Sequence, residues 1–116
     1  MMIQKIIRDY LVAELETIPV YMEQPKTAPE EWVLIELADS GLTNQISAAT
    51  MFIRCNAQSM YAAAALSETV KDLMLDAVKI DAISAVKIGG ERSGIDTTNR
   101  IYQYDLTFNI FFYKED

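Results

Sequence analysis

Side chains able to do chemistry are sparse in this chain, and their spacing limits what they can do. Histidine is absent and Cys55 is the single cysteine. Ser-His and Cys-His nucleophile pairs are therefore impossible within one chain. A zinc site would need carboxylates alone, a ligand set that zinc seldom takes. Cys55 lies in an apolar run and reads as a buried, inert thiol. A lone cysteine also excludes an internal disulfide framework. Glu30-Glu31 and the pair Glu14 and Glu16 come nearest to an acid–base couple. They fall in loop-like or helix-end surroundings and read as solvated charge, because carboxylates do acid–base work only when they converge in a cleft. Gly89-Gly90-Glu91-Arg92-Ser93-Gly94 is superficially like a phosphate cradle. It lacks the Gly-Lys-Ser/Thr ending and the following helix of a P-loop, and its glutamate would repel phosphate. Glycine clusters of this kind are turn punctuation. Residue chemistry thus assigns no catalytic residue, no metal ligand and no cofactor site.

The elements that must carry these residues are easier to read. From 101 to 113, Tyr102, Tyr104, Leu106, Phe108, Ile110 and Phe112 alternate with Gln103, Asp105, Thr107 and Asn109. This period of two predicts a strand with one face on a core. The polar face turns apolar at Phe111 and Tyr113, so the strand end needs a second cover, either its own helix or another subunit. Ile3, Ile6, Ile7, Tyr10, Leu11 and Leu15 fall at helical spacing and predict a helix over about 2–16, stopped before Pro19. Val20, Tyr21 and Met22 suit a short strand, and residues 23–31, with Pro25 and Pro29, suit a loop. Strands are expected over 32–38 and 48–56, joined as a hairpin through Asp39-Ser40-Gly41 and a connection reaching toward Gln45. Ser59 is a plausible N-cap for a helix from 60 to about 78, with Ala63, Leu66, Val70, Leu73, Met74 and Ala77 as its buried stripe. Residues 81–87 are a fourth strand candidate, with Ile83, Ala85 and Val86 toward the core, and about 87–100 is expected to be a flexible loop. Locally paired strands without regular strand–helix alternation predict an α+β fold. Its expected form is an antiparallel or mixed sheet of four to five strands with two helices on one face and the other face partly open to water.

At 116 residues the chain has the length of one domain, able to bury a core without staples. A hydrophobic content of 51% and a charged content of 23% match globular usage. The net charge of −7 argues against wrapping nucleic acid. The N-terminus is amphipathic, without the apolar core and cleavage site of a signal peptide. No apolar run approaches the ~18 residues of a membrane span. The expected setting is a cytoplasm, without membrane contact.

Three stretches carry a family resemblance: residues 18–25 with 29–36, Tyr61-Ala62-Ala63-Ala64-Ala65-Leu66 with Val70-Lys71, and residues 96–106. In these stretches, and in length and element order, the chain resembles the small tail-terminator and head-tail joining proteins of long-tailed bacteriophages and prophages. The resemblance implies a structural protein with no enzymatic role. It would assemble as a homo-oligomeric ring, commonly a hexamer, that caps the tail tube and docks it to the head connector protein. Its partners would be copies of itself, the tail tube protein and the connector. It would reside at the virion head-tail junction, after assembly in the host bacterial cytoplasm. A small cytosolic α+β binding module unrelated to phage is the competing reading, and a small hydrolase is a third.

A ring uses a heterologous contact, so each chain needs two dissimilar surfaces. One candidate surface combines the 89–100 segment, with Gly89, Gly90, Glu91, Arg92, Asp96 and Arg100, and the strand end at Phe111 and Tyr113. The other is the strand face carrying Trp32, Phe52 and Arg54, whose aromatic-plus-arginine composition suits an interface core. Trp32 also suits a place under the proline-bearing loop.

Overall fold

The computed structural model describes residues 3–23, 26, 29–43, 46–81, 83–96 and 101–113. Helix α1 (Ile3–Leu15) buries Ile3, Ile7, Leu11 and Leu15, one residue per turn on one stripe. It ends where Glu16 takes a left-handed backbone, φ 56°, and donates its N–H to the Val12 carbonyl at 3.1 Å. This is the αL type of helix stop, placed on a residue that gains less from it than glycine would. Strand β1 (Val20–Tyr21) follows directly and stops one residue short of the expected Met22.

Strands β2 (Trp32–Thr43) and β3 (Ile46–Ala57) form the expected hairpin, but it is longer than its sequence suggests. The turn-type residues Asp39, Ser40 and Gly41 are paired with Thr50, Ala49 and Ala48, after an irregularity between Leu37 and Asp39. Residues 44 and 45 of the expected connection lie outside the described residues. Helix α2 (Met60–Asp76) starts at Ser59, whose side-chain oxygen accepts from the Ala62 N–H at 3.1 Å. It passes into a 3₁₀ turn, Ala77–Lys79. Ala63, Leu66, Val70, Met74 and Ala77 of the expected stripe are buried, Leu73 is partly buried, and Ser67 joins them. Replacing Ser59 with alanine should cost ~1 kcal/mol of stability, since one end donor loses its acceptor. Urea melts of the two proteins at neutral pH would show this as a lower midpoint at unchanged slope.

The segment expected as a flexible loop is instead most of a strand. Strand β4 (Ile83–Asp96) pairs along its length with β5 (Ile101–Tyr113), from Ile83↔Phe112 to Asp96↔Ile101. Residues 97–100 lie outside the described residues. Glycine-rich sequence is a poor strand former alone, but β5 offers a long, regular ladder, and tertiary pairing overrides local propensity. The register shifts between Ile83 and Ala85 and again between Ile88 and Gly90. Gly89 is the extra residue of the second shift. A Cβ there would stand 3.2 Å from Asn109 Nδ2 and 3.3 Å from Thr107 Cγ2, so glycine suits the position sterically.

The sheet order is β1-β2-β3-β5-β4, with β1 parallel to β2 and every other pair antiparallel. The fold is therefore α+β with a mixed five-stranded sheet. Phe108, Met51, Ile53, Leu106 and Ile110 fill the side under the helices, joined by Ile7, Leu11, Val70 and Met74. Tyr10 ties the helices together by donating its hydroxyl to the Leu73 carbonyl at 2.7 Å. Gln4 Nε2 donates to the Ile35 carbonyl at 2.9 Å and fastens α1 to β2.

Candidate functional site

Alternation along each strand sends one set of side chains to the helices and the other to the opposite face. Two rows of register partners build that open face. One runs Leu34, Arg54, Asp105, Arg92; its neighbour runs Glu36, Phe52, Thr107, Gly90. Between them lies a shallow depression of about 410 Å³. Phe52 is 44% exposed there, a large aromatic left uncovered by its own chain. Arg54 Nε donates to Asp105 Oδ1 at 2.9 Å, and Arg92 Nη2 stands 3.8 Å from Asp105 Oδ2. Part-exposed pairs of this kind contribute only ~0.2–1 kcal/mol. Arg54 is thereby held close to Asp105, whereas Arg92 stands largely exposed at the rim. Further along the face, the Thr50 hydroxyl donates to Asn109 Oδ1 at 3.1 Å, and Lys87 Nζ lies 5.8 Å from the centroid of the Phe111 ring.

The residues expected at an interface separate into three groups. Phe52, Arg54, Gly90, Glu91 and Arg92 line the depression. Phe111 and the exposed Tyr113 occupy the β5 end, opposite Ala48 and Ile46. Others are engaged within the single chain or stand elsewhere on it. Trp32 is 2% exposed, with its ring set edge-on to Tyr21 at 6.1 Å, so it is a core residue of the single chain. Edge-to-face stacking on the aromatic of the adjacent strand gives it an internal partner. Glu91 sits opposite Leu106 and turns toward the helices, where its carboxylate meets Lys71 Nζ at 2.6 Å. Glu68 adds a second contact at 2.9 Å, and the two carboxylates hold the Lys71 ammonium well above the ordinary lysine range. Gly89 is taken up by the irregularity in β4, Asp96 pairs with Ile101 at the strand end, and Arg100 lies outside the described residues. Glu36, Asp105, Thr107 and Lys87 stand on the open face and are absent from the sequence expectation. The alternation of 103, 105, 107 and 109 marks that face in β5, but only the register shows which residues of the other strands join it.

Cys55 is fully buried on the helix side. Burial, and secondarily the charge of Asp105, push its thiol up to about 12, far from nucleophilic. Asn56 is also fully buried; its Nδ2 makes long bonds to the Trp32 and Arg54 carbonyls, at 3.4 and 3.3 Å, and its Oδ1 has no partner among the described residues. Among the described residues no three His, Cys, Asp or Glu side chains gather as metal ligands, and no helix is long and apolar enough to cross a membrane. The open face thus offers an exposed aromatic, two guanidiniums and carboxylates, a composition that suits a protein contact.

No protein-family model matches the sequence, and no curated protein matches it significantly. Among solved structures, the chain is similar to one in the virion of a native gene transfer agent particle. The TM-score is 0.63 at 14% identity, covering 90% of this chain and 84% of that one. The fold defined here, two helices over one side of a mixed sheet, is accordingly one that a virion particle also contains.

Proposed function

We propose that this protein is a structural component of a phage-like virion, acting without catalysis as a ring that closes the tail tube and docks it to the head connector. The observation that carries this reading is the fold shared with a gene transfer agent virion chain across 90% of the present sequence. The open sheet face supports it, because Phe52 and the Arg54–Asp105–Arg92 cluster offer an uncovered aromatic with oriented charges, the features that anchor protein contacts. The family resemblance in the sequence supplies the finer assignment to the tail end and the partners named above.

Negative-stain electron microscopy of the purified protein is expected to show annular particles. Sedimentation that finds only monomer at high concentration, with and without tail tubes, would overturn the reading. Tyr113→Asp is expected to harm assembly while shifting stability by less than ~0.5 kcal/mol, since the side chain is 52% exposed in the single chain. A parallel loss of melting temperature and assembly would instead assign Tyr113 to the monomer core.

A further inference from the structure

We propose that copies of this chain join edge to edge, with the outer edge of β4 adding to the free edge of β2 in the next copy. The proposal rests on the ring reading and says how the ring is closed. Among the described residues β4 has no strand on its outer side, and β1 covers β2 only at Val33 and Leu34. Gln4 takes the Ile35 carbonyl. From Glu36 to Thr43 the outer edge of β2 is therefore without a strand neighbour among the described residues.

The two edges match in direction, in position along the strands and in side-chain chemistry. Three successive antiparallel pairings make β4 run opposite to β2. Rotation about an axis along the strands preserves direction, so β4 of one copy meets β2 of the next in antiparallel sense, the sense already used by most of this sheet. The row Leu37, Met51, Phe108, Ile88 crosses the sheet from one free edge to the other. Its two ends are both apolar and half-uncovered, Leu37 at 41% and Ile88 at 42% exposure, whereas its middle is fully buried. In a ring without stagger those two ends become neighbours and bury each other. The adjacent row runs in register from Asp39 through Thr50 and Asn109 to Lys87. The two register shifts border the Leu37–Ile88 row on opposite sides of it, between Leu37 and Asp39 on β2 and between Ile88 and Gly90 on β4. Irregular edges discourage indiscriminate strand pairing, while the row between these two shifts stays regular on both edges.

Cysteine cross-linking tests this. Leu37→Cys and Ile88→Cys in one chain are separated by three strand spacings, ~14 Å, beyond the ~7 Å Cα limit of a disulfide. A bond between them can therefore form only between copies. Mild oxidation of the double variant is expected to move most of the protein into a ladder of covalent oligomers on a non-reducing gel, collapsed by dithiothreitol. Each single variant should stay unlinked. Asp39→Cys with Lys87→Cys, from the adjacent row, is a second pair should the first fail to fold. Rings in sedimentation and microscopy without cross-links in either pair overturn the edge contact and leave the ring reading standing. Covalent dimers from Leu37→Cys alone overturn the head-to-tail arrangement in favour of a two-fold one. Wild-type protein that never leaves the monomer overturns both.

Discussion

Phe108→Ala is expected to remove a large share of the protein's stability, ~3–5 kcal/mol. The side chain is among the largest that are fully buried, and it sits mid-sheet between Met51 and Ile88. Both helices contribute to the same buried cluster, through Ile7 and Leu11 on one side and Val70 and Met74 on the other. Removing a buried phenyl loses its transfer free energy and leaves a cavity that the sheet cannot close, ~3–5 kcal/mol together. Domains of this size hold only ~5–15 kcal/mol in all. The control is the neighbouring row. Phe52, on the opposite face and 44% exposed, should cost far less when replaced by alanine, ~1 kcal/mol or below. Urea melts of both variants read the difference directly. Equal losses, or a Phe108 loss under ~1 kcal/mol, would place the core on the wrong side of the sheet.

The second large effect is a loss of stability at alkaline pH that one thiol should dominate at its onset. Cys55 is pushed from its ordinary value of 9.0 to about 12 by burial and, less strongly, by Asp105. The unfolded chain ionises first, so the folded state binds more protons between these limits. The stabilisation is fully present below pH 9 and is lost as pH rises toward 12. The slope approaches ~1.4 kcal/mol per pH unit. Tyr10, raised chiefly by burial, and Lys71, raised chiefly by its bond to Glu91, act in the same direction at higher pH. The interval from 9 to 10 therefore isolates the cysteine. Cys55→Val should flatten the stability profile there, although its stability at pH 7 changes little. A slope that survives the substitution would show that another group titrates. The native thiol should also resist aromatic disulfide reagents at pH 8 until the chain unfolds.

Several features of this fold are legible along the chain because they are periodic or local. The alternation from Tyr102 to Phe112 marks β5 and its buried face, the spacing of Ile3, Ile7, Leu11 and Leu15 marks α1, and Ser59 marks the start of α2. Each rests on neighbours within a turn or two, so the signal is present before anything folds. The candidate site is legible only in fragments. Phe52 and Arg54 stand two apart on one strand face, but Asp105 and Arg92, which complete the cluster, come from 51 and 38 positions beyond Arg54.

The amino-acid order by itself determined the α+β class, the extent of both helices to within a few residues, and the face of β5 that is buried. Tertiary structure alone decided that 39–43 and 88–96 are strand, that Trp32 is interior, and that Glu91 pairs with Lys71. The reason is the range of the forces. Helix and strand periodicity is written in side chains a few positions apart. A ladder hydrogen bond is made between backbones identical at every residue, and its partner is chosen by the packing of distant segments.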